Sequence, residues 1–154
     1  MNGHPPSIDD ESLIAALRLA AGNDPVPAHV STAARAVFGL RLPGAATAGL
    51  VATPAPTGVR SADGARLLRF AAAELTVDLE VTSMDGLVDL AGQVSPCPEA
   101  GTRVEVRTLH LTESRELSPT GQFAVTGLPP GWFSVVCHRP ERSSVATSWT
   151  RIRP

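Results

Sequence analysis

The chain has 154 residues, 43% of them hydrophobic, and a formal net charge of −2 at pH 7, which suits one domain with a small additional element. All thirteen basic residues are arginine and lie scattered along the chain, so the basic stripe of a nucleic-acid binder is excluded. No apolar run reaches 18 residues, and the acidic start MNGHPPSIDDES has neither the charged head nor the apolar centre of a secretory signal, so the expected location is cytoplasmic, with no membrane span.

Ser7-Ile-Asp-Asp10 reads as a capping box, with Ser7 as N-cap and Asp10 reaching back. The helix it opens runs to about Ala21, and Leu13, Ile14 and Leu17 form its apolar stripe. Gly22-Asn23 ends it. Asp24-Pro25-Val26-Pro27 starts a second helix, since proline is tolerated in a first turn; its stripe is Val30, Ala34, Val37 and Phe38, and Pro43-Gly44 stops it. Ala45 to Val51 is read as a third short helix, weakened by Gly49. Residues 1–52 thus form a helical segment. Helices this short are marginal alone in water, so their stripes need a cover: each other, the rest of the chain, or another protein.

Residues 53–63, TPAPTGVRSAD, have a linker's composition. Beyond them, over 64–154, the apolar period changes from 3.6 to 2. Leu67, Leu68 and Phe70 suggest a first strand. Leu75, Val77, Leu79 and Val81 alternate with Thr76, Asp78, Glu80 and Thr82 without a fault. Asp85-Gly86 is a strong hairpin signal. Val88, Leu90 and Val94 follow, with Gly92 marking a bulge or a close approach. Val104 and Val106 alternate with charged residues, and Leu109 and Leu111 fall out of step with them, which suggests a bulge. In 118–137, SPTGQFAVTGLPPGWFSVVC, Phe123 and Val125 face inward on one strand, the two prolines force the chain out of the sheet, and Phe133, Val135 and Cys137 face inward on the return. Leu128 is placed to plug the end of the core. Trp132 and Val136 are expected to point outward. A last strand spans Ser144 to Ile152, with Val145, Thr147 and Trp149 on one face. Seven or eight short strands at regular spacing make the expected class mainly β, an antiparallel β-sandwich preceded by two or three short α-helices.

Gly121, Phe123, the turn Gly127-Leu128-Pro129-Pro130-Gly131, Phe133 and Val135 together resemble the hairpin of the transthyretin-like or carboxypeptidase-regulatory-like β-sandwich. Members usually have Tyr where Phe133 stands, and Asp or Asn in place of Thr120. The resemblance implies a fold, and little about function. The layout of Asp24-Pro-Val-Pro-x-x-Val30, Gly58-Val-Arg60-Ser-Ala-Asp63 and Leu67-Leu68-x-Phe70 is also similar to small cytoplasmic proteins of high-GC bacteria that accompany alternative sigma factors. The resemblance implies a sigma factor or a signalling protein as partner. Zinc-type anti-sigma proteins carry His-x-x-x-Cys-x-x-Cys, which is missing here, so such a role would be zinc-free.

The chemistry expected is sparse. Cys137 and His138 are strand neighbours and point to opposite faces, so they cannot chelate together. His29 has no His or Cys three or four residues away, and His110 lies between two leucines. Cys97 and Cys137 are expected as free thiols. No serine sits in a Gly-x-Ser-x-Gly elbow. Asp78 and Glu80 share one strand face, which reads as a solvated polar face together with Thr76 and Thr82. No catalytic residue, metal ligand or cofactor is expected. The reading is a non-catalytic protein-binding regulator or adaptor whose contact residues are Leu13, Ile14, Leu17, Val30, Val37 and Phe38, with another protein as partner and neither nucleic acid nor membrane. The alternative is a sandwich that binds a carbohydrate or other small ligand through its loops, for which the chain offers no Tyr and only Trp132 and Trp149 as platforms.

Overall fold

The structure, a computed structural model, describes residues 9–23, 26–51 and 65–152. Ser7, Asp24 and the 53–63 stretch lie outside the described residues. The chain divides into two compact units, Met1–Arg41 and Leu42–Pro154.

The first unit holds α1 (Asp10–Asn23) and α2 (Ala28–Gly39). The observed cap of α1 is Asp9: its Oδ1 accepts a hydrogen bond from the Ser12 amide at 2.7 Å, and its carbonyl accepts from Leu13. The Ser12 side chain first, and its amide second, hold the Asp9 carboxyl below its ordinary value, as suits a carboxylate at a helix start. Pro27 precedes α2 and supplies no side-chain cap.

The second unit is mainly β. Its described residues form ten strands: β1 (Ala46–Val51), β2 (Arg66–Ala71), β3 (Thr76–Met84), β4 (Leu87–Ser95), β5 (Arg103–Thr108), β6 (Thr112–Glu116), β7 (Gln122–Leu128), β8 (Gly131–His138), β9 (Val145–Thr147) and β10 (Thr150–Ile152). They form one sheet in the order β6-β5-β8-β9-β1-β2-β3-β4-β7, with β10 added on β8. Its two end strands, β6 and β7, come together, so the sheet nearly closes on itself. The strands form because apolar residues alternate, and the inward set fills the interior: Phe70, Val77, Leu79, Leu90, Val106 and Val135 are among those buried there. Leu128 is buried as expected of an end plug. Gly92 proves to be a close approach. A Cβ there would meet the Phe123 ring at 2.2 Å and Leu79 at 2.9 Å, so the missing side chain makes room for the ring.

Four expectations are corrected. Ala45 to Val51 is no helix: β1 pairs in parallel with β9 through Ala46–Ala48 and antiparallel with β2 through Gly49–Val51. Ala48 is completely buried there, so the strand's pairing on both sides overrides the helical propensity of an Ala-rich stretch. Residues 46–51 therefore belong with the sheet. The strand count rises to ten because β6, TESRE, is a charged edge strand without apolar alternation, and because the last strand is two, β9 and β10, with Trp149 in the break. Leu109 and Leu111 are out of step because a tight turn separates β5 from β6: the Thr108 amide donates to the Leu111 carbonyl at 2.8 Å, and Thr108 Oγ1 accepts from the Leu111 amide at 2.9 Å. Finally, Val136, expected outward, is buried.

Register places the loops at two ends. The pairs Thr76↔Ser95, Gln93↔Gln122 and Arg103↔His138 bring loops 72–75, 96–102, 117–121 and 139–144 to one end. The pairs Met84↔Leu87, Val88↔Leu128 and Thr108↔Phe133 bring the hairpin tips 84–87, 108–112 and 128–132 to the other.

Candidate functional site

The six side chains expected to contact a partner are all exposed. On α1 these are Leu13, Ile14 and Leu17, and on α2 Val30, Val37 and Phe38, with relative exposures between 45% and 68%. Leu19 and Val26 are exposed as well, and no residue of α2 is buried. Within α2, Val30, Val37 and Phe38 lie near one face at helical spacing. Arg41 stands 5.3 Å from the centre of the Phe38 ring, in cation–π range, which leaves that ring aromatic and cationic at once.

The outer face of β2, β3, β4 and β7 forms a second surface. Cross-strand rows run Leu67–Glu80–Ala91–Ala124 and Arg69–Asp78–Gln93–Gln122. Ala91 and Ala124 are small among long neighbours, so the face is hollowed into a trough of about 720 Å³. Arg69 and Asp78 close one side with a bidentate pair, at 2.6 and 3.1 Å. Asp78 is thus an ion-pair partner of its neighbouring strand rather than half of a carboxylate pair with Glu80. The bond to Asp78 pushes the Arg69 guanidinium up from its already high value. The Gln93 amide donates to the Thr120 carbonyl at 3.0 Å. This wall of amides and charges can exchange hydrogen bonds with a polar ligand, but neither tryptophan lines it.

A third arrangement escaped the reading of the sequence. His138 Nδ1 lies 3.1 Å from Ser144 Oγ, and its Nε2 lies 3.2 Å from Glu105 Oε2. The order hydroxyl, imidazole, carboxylate is that of an activated nucleophile. The second link is poorly aligned, however: Nε2 is buried yet makes no hydrogen bond among the described residues. Ser144 lines neither the trough nor the smaller cleft beside Cys97 and Cys137. The three residues join β8 to β5 on one side and to the residue before β9 on the other, and they lock strands that also pair through their backbones.

The two ends of the sheet differ in chemistry. At the loop end, Arg139 donates to Glu74 at 2.7 Å and twice to the Ser143 carbonyl, and Arg142 approaches both Glu74 and Glu99. The Arg139 guanidinium, and secondarily Arg142, hold the Glu74 carboxyl below its ordinary range. A small cleft of about 70 Å³ there is lined in part by Cys97 and Cys137. Cys97 is exposed and points its thiol at the Pro119 carbonyl, 2.7 Å away. Cys137 is buried, and burial pushes its thiol up. At the tip end, Met84, Leu87, Leu109, Leu111 and Trp132 are exposed by 38% to 67%. Trp132 points outward as expected. That Met84, Leu87, Leu109 and Leu111 would join it is not evident from periodicity; the signal is an apolar residue on each side of a turn, Met-Asp-Gly-Leu and Leu-His-Leu.

Among the described residues, no group of three or more His, Cys, Asp or Glu side chains is placed to hold a metal, and no helix is long and apolar enough to cross a membrane. No family model, no curated protein and no solved structure matches the chain.

Proposed function

We propose that this protein is a non-catalytic binding regulator or adaptor that grips another protein through the apolar stripes of α1 and α2, with the β unit as its scaffold. One observation carries the reading: Leu13, Ile14, Leu17, Val30, Val37 and Phe38 are all exposed. Apolar side chains presented at i, i+3, i+4 spacing are the anchors by which helices seat in partner grooves. The β unit is read as a transthyretin-like or carboxypeptidase-regulatory-like sandwich. Supporting this, β1 passes from a partner in the β6-β5-β8-β9 run to one in the β2-β3-β4-β7 run, as a strand shared by two facing sheets does. The layout shared with proteins that accompany alternative sigma factors makes a sigma factor or a signalling protein the partner of choice, bound without zinc.

The test is a full-length double variant, Leu17→Asp with Phe38→Asp, used as bait in native cell extract. Charge at a desolvated apolar contact is costly, more so than an unpaired neutral polar group. Partner recovery is expected to vanish while the melting temperature stays put. A large fall in melting temperature would mean that the stripes are core, and the reading would fail.

The trough on β2, β3, β4 and β7 favours a second reading, a site for a carbohydrate or other small polar ligand. Its amides and the Arg69–Asp78 pair suit hydroxyl groups, although an aromatic platform is missing. Titration with an oligosaccharide panel that leaves the amide resonances of Gln93 and Gln122 unmoved would remove it.

A further inference from the structure

The hairpin tips are apolar where the fold does not require it. Met84 and Leu87 flank the Asp85-Gly86 turn, Leu109 and Leu111 the next, and Trp132 leaves the Pro129-Pro130 turn. All five side chains lie at one end of the β unit, and none is part of its buried interior. They project from three separate turns, and neither of the two cavities described above lies among them. Separate protruding points fit a soft apolar phase better than a rigid groove.

The charge around them has a sign. Arg151 sits directly opposite Trp132 on β10, and Arg107, paired with Ser134, is its diagonal neighbour on β5, on the same outward face. Arg66 stands at the start of β2, at this end of the sheet. These three arginines form no ion pair among the described residues, whereas Arg69, Arg103, Arg115, Arg139 and Arg142 all do. The one carboxylate on the three tips is Asp85; of the two beside them, Asp89 accepts from the Gly127 amide and Glu113 is paired with Arg115. A tryptophan between two uncommitted arginines, beside aliphatic tips, matches the boundary where lipid phosphates meet acyl chains. Indole rings settle at that depth, and each arginine near an anionic surface adds about 1 kcal/mol.

We propose that the tip end of the β unit is a peripheral docking surface for an anionic lipid bilayer, with Leu87, Leu109, Leu111 and Trp132 entering the interface and Arg107 and Arg151 meeting the headgroups. This contact lies at the surface and involves no crossing. It is independent of the helix stripes.

The experiment is sedimentation of the full chain with vesicles of phosphatidylcholine alone or mixed with phosphatidylserine, read together with tryptophan emission in a Trp149→Phe background. Pelleting with the mixed vesicles, weakened by salt and accompanied by a blue shift of Trp132, is expected. Leu87→Ser with Leu111→Ser is expected to reduce partitioning at least about tenfold, and Arg107→Gln or Arg151→Gln about fivefold each. Leu17→Asp with Phe38→Asp should leave it unchanged, which separates this surface from the helix contact. Circular dichroism of each variant confirms that it is folded. No pelleting with either vesicle at low salt overturns the proposal, as does equal pelleting with both. If the Leu87/Leu111 variant loses a protein from extract while the parent ignores vesicles, the tips are a protein contact and the lipid assignment is wrong.

Discussion

At one end of the β unit the loops hold one another: Glu74 with Arg139, Arg142 with Glu99, Cys97 with the Pro119 carbonyl, and Val94 with the Gly121 carbonyl. At the other, three hairpin tips carry exposed apolar side chains, and among the described residues no hydrogen bond or ion pair joins one tip to another. The contrast follows from loop chemistry. The loop end must return the chain through longer connections such as 96–102 and 139–144, whose backbone groups need partners away from the ladders. The tip end is made of tight turns, Asp85-Gly86 with both residues at positive φ, and such turns satisfy themselves. Met84, Leu87, Leu109, Leu111 and Trp132 are exposed there and lie outside the buried core, so they need a reason outside the fold.

The sharpest way to break this comparison uses two adjacent residues. Phe133 faces the interior and Trp132, one step earlier on β8, faces outward. Phe133→Ala is expected to cost roughly 3–5 kcal/mol in a chemical-denaturation experiment, as a deleted core ring does. Trp132→Ala should cost less than about 1 kcal/mol, the scale of a surface change. Similar losses for both would place Trp132 in the core and remove the case for a free tip.

A pair of glycines tests the ends directly. Gly121 at the loop end has φ +85°, and a Cβ there would sit 2.4 Å from the Val94 carbonyl oxygen. Gly86 at the tip end has φ +79°, with nothing within 4 Å of its Cβ position. An L-residue in this region pays about 1–2 kcal/mol of backbone strain at either place, and Gly121→Ala adds an overpacking cost of roughly 1–3 kcal/mol. Unfolding curves should therefore rank Gly121→Ala well below Gly86→Ala. An equal ranking would mean that the loop end yields as easily as the tips.

These two experiments also mark what could be read from sequence. Strand faces were legible wherever alternation was clean, so Val77, Leu79, Val81, Phe123 and Phe133 all lie in the interior as the period demanded. The Gly-Leu-Pro-Pro-Gly turn and the Asp-Gly hairpin were legible because their conformations admit few residues. Residues 46–51 were not, since Ala and Gly carry no period and only the partners β2 and β9 make them a strand; a fragment starting at residue 60 would lack that strand. β6 was hidden by its charge. The helix stripes could be named from spacing, and their six side chains are exposed. The trough, the His138 cluster and the apolar tips arise from residues distant in sequence, which become neighbours only through register.

The cysteines extend the comparison to reactivity. Cys97 is exposed and Cys137 is buried with its thiol pushed up, which keeps it protonated and shielded. A disulfide-exchange reagent should titrate one thiol per native chain, that of Cys97, and both after denaturation. Rapid reaction of both in the native state would mean that the loop end opens easily despite its cross-links, reversing the order of rigidity argued above.

The smallest effect concerns the ion pairs that make the loop end look so firmly tied. Glu74 is largely exposed, so its bonds to Arg139 and Arg142 are screened by water and contribute little. Their sign is still definite. The folded-state carboxyl is held below its unfolded value, chiefly by the Arg139 hydrogen bond. Its contribution is therefore fully present above the ordinary glutamate value of about 4.3 and is lost as pH falls through the lower folded value. The difference in melting temperature between the parent and Glu74→Gln should accordingly be small at neutral pH, with the parent higher, and should close as the solution is made acidic. A gap that stays constant down to that range would mean that Glu74 acts through packing rather than charge. A gap as large as that of Gly121→Ala would mean that charge, and not the close backbone approach at Gly121, is what holds this end together.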